Sequence, residues 1–68
     1  MSITLKAARI NAELTRPDVV ERLKSEYGIE ISVNTLANYE NKVSQPDINT
    51  GKALAAIYGK SVDDIIFL

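Results

Sequence analysis

Residues that begin and end α-helices recur at short intervals along this chain, and they limit it to a series of short helices. Thr15 and Asp18 have the spacing of a capping box, in which each side chain bonds the backbone N–H of the other residue. Pro17 lies in the first turn of the same helix, where its missing N–H costs little. Gly28 is placed to end that helix in a left-handed conformation, and Ser32 is the next N-cap.

The apolar spacing between these signals predicts five helices and no strand. Leu5, Ala8 and Ala12 form the buried stripe of the first helix, with Ser2 or Thr4 as its cap. The predicted helices span roughly residues 4–13, 16–27, 33–41, 48–58 and 62–67. We therefore expect one compact all-α domain that covers residues 1–68.

The fourth predicted helix begins at Asp47 and carries most of the remaining apolar residues. Its inward-facing side chains are predicted to be Ile48, Leu54, Ala55 and Tyr58. Gly51 lies in its interior and should weaken it by about 1 kcal/mol relative to Ala. Gly59 ends this helix, Ser61 caps a final short one, and the chain closes with the apolar run 65–68.

Composition excludes several classes of protein. With 68 residues and neither Cys nor His, the chain has no disulfide, no thiol nucleophile and none of the usual zinc ligands. No Gly-rich phosphate loop is visible, so we predict that the protein is not an enzyme and binds no metal or cofactor. There is no apolar run of about 18 residues and no signal peptide, which favours a cytoplasmic protein. The net charge of −1 argues against a general polyanion binder, although residues 41–45 carry Lys42 and no acid.

The segment from Ser32 to Glu40, Ser-Val-Asn-Thr-Leu-Ala-Asn-Tyr-Glu, predicts a helix with two different faces. Leu36 and Tyr39 are three residues apart and share an apolar face. The opposite face carries three amides, at i, i+4 and i+7: Asn34, Asn38 and Asn41. Asn is a poor helix former, but its amide can bond bidentately to the N6 and N7 edge of adenine in the major groove. This face is therefore either a DNA-reading surface or an ordinary polar surface, and this segment alone does not distinguish the two.

Four stretches of the chain are similar, in order and spacing, to the lambda-repressor-like, or XRE-family, helix-turn-helix domain. They are Leu5-Lys6-Ala7-Ala8-Arg9, Leu14-Thr15-Arg16, the segment from Ser32 to Glu40, and residues 46–61 with the ending Tyr58-Gly59-Lys60-Ser61. Leu36 occupies the position of an Ile in the family's recognition helix. The resemblance covers nearly the whole chain. It implies a compact five-helix domain whose third helix, residues 33–41, lies in the major groove of operator DNA.

The chain departs from the usual family pattern between the second and third helices. The family has a short Gly-Val-Ser turn there, whereas residues 24–31 of this chain form a longer connection. The lengthened connection, with its run from Tyr27 to Ser32, resembles that of repressors from temperate phages. In addition, three residues differ from those usual in the family. Arg16 stands where the family has Gln, Gly51 stands where it has an apolar residue, and Lys60 stands where it has Val.

The resemblance implies that three side chains of the third helix face base edges: Val33, Asn34 and Asn38. The amides can read adenine, and the Val33 methyl groups can meet a thymine methyl. Six further residues are implied as contacts to the DNA backbone: Arg16, Thr35, Asn41, Lys42, Ser44 and Gln45. Arg16 stands at a helix N-terminus, a poor place for a cation unless an anion such as phosphate is near. Thr35 can contact phosphate or bond back to the preceding turn, and the alternative for the others is ordinary solvated surface.

Arg9 and Glu40 resemble a family ion pair that joins the first and third helices, the alternative being two unrelated exposed charges. The C-terminal residues Ile66, Phe67 and Leu68 are too apolar for a free terminus. They either close the core, continue into a further segment, or form a homodimer interface. A dimer would place two recognition helices one DNA turn apart, ~34 Å.

Together these features predict a sequence-specific transcriptional regulator of the phage or bacterial repressor type. Its partner would be double-stranded operator DNA, bound by a homodimer, with no membrane and no small-molecule substrate. One alternative is a protein-interaction module, such as an antitoxin or antirepressor, that keeps the fold without binding DNA; the acidic net charge favours it. The other is the N-terminal part of a longer repressor, which the apolar C-terminus favours.

Overall fold

The computed structural model describes residues 2–66, with side chains described through residue 65. Four α-helices follow one another in that part of the chain: α1 (Leu5–Asn11), α2 (Arg16–Tyr27), α3 (Val33–Glu40) and α4 (Ile48–Ile57). A short strand, β1 (Ile3–Thr4), precedes them. A 3₁₀ turn (Val62–Asp64) and a second short strand, β2 (Ile65–Ile66), follow them.

The predicted fifth helix over residues 62–67 is wrong. Its described part is a 3₁₀ turn of three residues followed by β2, which pairs in parallel with β1 so that Ile3 lies opposite Ile65. The two β-branched isoleucines of β2 favour extended backbone. The Ser61 hydroxyl donates to Asp64 Oδ2 at 3.3 Å and does not cap the turn. The prediction of no strand is wrong as well, because this pairing joins the two ends of the domain and leaves no local sequence signal.

Side-chain caps set where the helices begin, as the sequence predicts. In α2 the Thr15 hydroxyl accepts from Asp18 N at 3.3 Å, and Asp18 Oδ2 accepts from Thr15 N at 3.1 Å. These bonds from Thr15 hold the pKa of the Asp18 carboxyl below its usual range. The caps of the other three helices are Thr4, Ser32 and Asp47.

Three of the four helices end in the same backbone arrangement, the Schellman motif. A residue in the left-handed region follows the last turn: Glu13 after α1 (φ 59°), Lys42 after α3 (φ 63°) and Gly59 after α4 (φ 69°). The N–H of that residue bonds a carbonyl three residues back, and the next N–H bonds one five residues back. Glycine takes this conformation freely, whereas a side chain costs roughly 1–2 kcal/mol there. Because α1 stops before Glu13, it is shorter than the predicted 4–13.

The core joins all four helices and β2, and α4 supplies the largest share of it. The largest side chains that are fully buried come from α2, α3 and α4: Val19, Leu23, Leu36 and Leu54. Leu5 and Ala8 of α1 are also buried, as their spacing predicts. Ile65 of β2 packs against the same cluster.

Ile48 does not face inward as predicted, since its side chain is 76% exposed. It is the first residue of α4, and Gly51, nearly one helical turn further along, offers no side chain to pack against it. A groove of about 170 Å³ is open beside them, lined also by Pro46 and Val62. This end of α4 therefore carries an exposed apolar surface.

The connection between α2 and α3 is partly helical. Residues 24–27 continue α2, and Gly28 (φ 67°) then turns the chain out of the helix. Ile29 and Ile31 pack, partly buried, against the core. The start of α3 is thus tied to the body of the domain by apolar contacts.

Candidate nucleic-acid interface

The rear of α3, which we define as Leu36, Tyr39 and Glu40, is the side that packs against the rest of the domain. Leu36 is fully buried in the core, and Tyr39 packs against the core from its edge. The Glu40 side chain has no exposed surface. Helix α3 contacts both α1 and α2 through this side.

Two arginines from two different helices bond the buried Glu40 carboxylate. Arg9 of α1 donates through Nε to Oε2 at 2.7 Å and through Nη2 to Oε1 at 3.3 Å. Arg16, the first residue of α2, donates through Nε to Oε1 at 3.0 Å. The expected contact between Arg9 and Glu40 is present, and neither group is an isolated exposed charge. One carboxylate therefore fixes the end of α3 against α1 and α2.

The Tyr58 hydroxyl is buried near this ion-pair cluster. Among the described residues it has no hydrogen-bond partner. Burial, with a smaller contribution from the Glu40 charge, raises the pKa of the Tyr58 phenol well above its usual range, and the Arg9 charge opposes the rise. The rear of α3 thus concentrates charge and polar groups inside the domain.

The front of α3, which we define as Val33, Asn34 and Asn38, is turned to solvent. Val33 is 41% exposed, Asn34 is exposed and Asn38 is half-buried. Asn34 and Asn38 are four residues apart, so their side chains are neighbours on one helix face. Neither amide makes a hydrogen bond to any group in the described part of the chain. The front therefore presents two amides whose hydrogen-bonding capacity is unused within the protein.

Thr35 has a partner of its own at the start of α3. Its backbone N–H donates to the capping Ser32 Oγ at 3.0 Å, and its hydroxyl shares a 3.0 Å hydrogen bond with the same oxygen. The hydroxyl thus bonds back to the preceding turn, as one of the two alternatives has it, and its partner there is the cap side chain. This bond fixes the Thr35 rotamer beside the front of the helix.

The loop that follows α3 is folded back on the helix end. The Val43 and Ser44 N–H groups both donate to the Asn38 carbonyl oxygen, at 2.9 and 3.4 Å. Lys42 occupies the left-handed position of this turn, and its side chain is exposed, as are those of Asn41, Ser44 and Gln45. The turn brings a cation and three polar side chains to the end of the helix that carries the two amides. Four of the six predicted backbone contacts therefore lie in one exposed segment.

Two sets of sequence-predicted residues do not belong to that segment. Arg16 bonds Glu40 rather than a residue of the loop, and 31% of its side chain is exposed. The tentative dimer residues Ile66, Phe67 and Leu68 lie outside the described side chains.

Sequence reasoning missed the contact between Arg16 and Glu40. The two residues are separated by 24 positions, so no local spacing rule relates them. The available signal was the replacement of a neutral Gln by Arg at the start of α2, because a cation at a helix N-terminus needs an anion nearby. The left-handed conformation of Lys42 was also missed, since the sequence there has no glycine.

No cluster of three or more potential metal-ligating side chains occurs within residues 2–66. Among the helices of the same residues, none is long and apolar enough to cross a membrane.

Comparison with known families gives a match to a family model. A family model described as helix-turn-helix matches residues 5–65 of the chain, which is nearly all of it. No curated protein and no solved structure matches significantly.

Proposed function

Because the chain belongs to the lambda-repressor-like, XRE-type family of helix-turn-helix domains, we propose that it is a sequence-specific transcriptional regulator of the phage or bacterial repressor type. The family is one of DNA-binding regulatory domains rather than enzymes. The observation that carries the proposal is the front of α3, where two neighbouring amides have no partner in the described part of the chain. A regulator of this kind works beside the DNA, in the cytoplasm of a bacterium.

In the proposed complex α3 lies in the major groove with its front toward the base edges. Each of the Asn34 and Asn38 amides has an NH₂ group that can donate to adenine N7 and a carbonyl oxygen that can accept from adenine N6. The Val33 methyl groups meet a thymine methyl. The rear of α3 takes no part in base contact, because Leu36 and Glu40 are buried.

Contacts to the DNA backbone position the helix in this proposal. They are made by Arg16, Thr35, Asn41, Lys42, Ser44 and Gln45. Such contacts set register and supply the salt-dependent part of the affinity, while the base contacts supply sequence preference. The small net charge of −1 limits general attraction to DNA, so local cations such as Lys42 carry this part of the affinity.

We further propose that the protein acts as a homodimer on a two-fold related operator. One helix of eight residues reads only a half-site, and pairing two half-sites about one helical turn apart (~34 Å) supplies the rest of the specificity. Light scattering over a range of concentrations, together with duplexes that carry one or two half-sites, tests this step. A monomer that binds both duplexes equally well would contradict it.

Lys42 and Glu13 provide a matched pair of variants for testing DNA binding itself. Both occupy the left-handed position of a Schellman motif without being glycine. Lys42→Gly and Glu13→Gly should therefore each raise the stability of the fold, by up to about 1 kcal/mol. Only Lys42 belongs to the proposed interface, so only Lys42→Gly should weaken binding.

The measurement is the binding of a random-sequence duplex, followed by fluorescence anisotropy over a series of salt concentrations. Wild-type affinity should fall steeply with salt. Lys42→Gly should reduce the slope of log K against log salt by about 1, and Glu13→Gly should leave the slope unchanged. Equal slopes for the wild type and Lys42→Gly would remove Lys42 from the interface.

A wild-type protein that binds no DNA even at low salt would favour the second candidate function, a protein-interaction module on the same fold. The acidic net charge is the observation that supports this candidate.

A further inference from the structure

The two arginines that share Glu40 are used very differently. Arg9 makes three hydrogen bonds: two to the Glu40 carboxylate and one from Nη1 to the Leu14 carbonyl at 3.0 Å. Its side chain is only 12% exposed. Arg16 makes one hydrogen bond, from Nε to Glu40, and its side chain is 31% exposed. All three side-chain nitrogens of Arg9 thus donate to groups of the domain, whereas Arg16 donates through one nitrogen only.

The terminal nitrogens of Arg16 have no hydrogen-bond partner among residues 2–66. A guanidinium carries five N–H donors in a rigid fork, so a bond at Nε leaves the Nη1 and Nη2 edge able to bind a second anion. The cluster also contains two guanidinium groups against one carboxylate, which leaves one positive charge uncompensated. Both observations indicate an anionic ligand in addition to Glu40.

We propose that Glu40 is a positioning residue for DNA binding, which holds the Arg16 guanidinium by Nε so that its terminal nitrogens bond a backbone phosphate. The inference rests on the proposed function and assigns Glu40 a role in it. Glu40 is the last residue of α3, and Arg16 is the first of α2. The phosphate contact at the start of α2 is therefore set at a fixed distance from the helix that reads the bases, and the rigid fork loses little entropy on binding.

Lysine variants of the two arginines separate this role from a purely structural one. Lysine keeps the charge but has a single nitrogen, which cannot bond Glu40 and a phosphate in the fork geometry of arginine. Arg16→Lys should therefore weaken binding to a random-sequence duplex about tenfold or more, since a charge-assisted hydrogen-bonding contact is lost. The salt slope should change little, because the charge remains.

Arg9→Lys is the matched control, since it disturbs the same carboxylate from the other side. It should lower the midpoint of denaturant unfolding while leaving DNA affinity within about twofold of wild type for the folded protein. Arg16→Gln, which removes the charge, should lower both the affinity and the salt slope, the slope by about 1.

Two results would overturn the inference. One is Arg16→Lys binding as tightly as the wild type, and the other is Arg9→Lys losing as much affinity as Arg16→Lys. A wild-type protein that does not bind the duplex at all contradicts the proposed function instead, so the two failures are distinguishable. Glu40→Gln adds a direct check: it should weaken binding in the wild-type background and not in Arg16→Gln. Where Glu40→Gln does not fold, the comparison of the two lysine variants decides the question.

Discussion

The front and the rear of α3 belong to the same eight-residue helix and differ in how their polar groups are used. At the rear, the Glu40 carboxylate accepts three hydrogen bonds from two arginines and has no exposed surface. At the front, the side-chain amides of Asn34 and Asn38 make none in the described part of the chain. The Glu40 carboxylate is therefore paired inside the domain, whereas the two side-chain amides of the front have no partner among the described residues.

Two helix ends, those of α3 and α1, have the same strained backbone and differ in their relation to the proposed interface. Lys42 at the end of α3 is left-handed without being glycine, which suits a functional position. Glu13 at the end of α1 has the same conformation outside the proposed interface. The left-handed backbone of Lys42 alone thus does not identify the proposed binding surface, because Glu13 shares that conformation.

The largest expected effect comes from the rear. Glu40→Ala leaves two guanidinium groups in a largely buried site without their counter-charge, so the free energy of unfolding should fall by about 3–5 kcal/mol. Urea unfolding monitored by circular dichroism measures this loss. Arg22→Ala is the reference, because it breaks the exposed pair with Glu26 and should change the free energy of unfolding little. Similar losses for the two variants would mean that the buried cluster does not hold α3 in place.

The next effect comes from the front and concerns binding rather than folding. Asn38→Ala should cost about 1–3 kcal/mol of binding free energy on a specific site and little on random DNA. Its free energy of unfolding should stay level or rise by about 0.5 kcal/mol, since Ala is the better helix former. A stability loss greater than 1 kcal/mol would show that the amide serves the fold, and the contrast between front and rear would then fail.

The third effect concerns the Tyr58 hydroxyl, which is buried near the ion-pair cluster of Arg9, Arg16 and Glu40. The pKa of Tyr58 is higher in the folded protein than in the unfolded chain, where it is about 10. The stabilisation is therefore complete below pH 10 and is lost as pH rises above it, by about 1.4 kcal/mol per pH unit, because only the unfolded chain releases the proton. Tyr58→Phe should remove this decline, and unfolding experiments from pH 7 to 11 on both proteins measure it.

At pH 7 the same substitution should be close to neutral in stability. The hydroxyl is buried without a partner among the described residues, so no hydrogen bond is lost when it is removed. A clear loss of stability in Tyr58→Phe at pH 7 would show that a water molecule or another group satisfies this hydroxyl.

Local signals predicted most of the fold. Thr15 with Asp18, Ser32 and Asp47 begin their helices as expected, because a cap bonds only within its own first turn. Features that depend on distant partners were not predictable in this way. The strand at Ile65 was not predictable, because its partner Ile3 lies far away in the sequence.

The site was predictable to a similar extent. The spacing of Asn34 and Asn38 placed them on one face of a helix, and the structure has them there. Nothing in the sequence placed Arg16 against Glu40, because that contact depends on how α2 packs against α3. The inward prediction for Ile48 failed because Gly51 removes the neighbour it would have packed against.

The central claim is that the front of α3 reads DNA sequence. Selection of bound duplexes from a random pool at low salt, carried out in parallel with the wild type and Asn38→Ala, tests it most directly. We expect the wild type to enrich two related half-sites containing A·T pairs, and Asn38→Ala to lose the preference at one position of each half-site. A wild-type pool that stays indistinguishable from the input, or the same enriched sequences with both proteins, would contradict it.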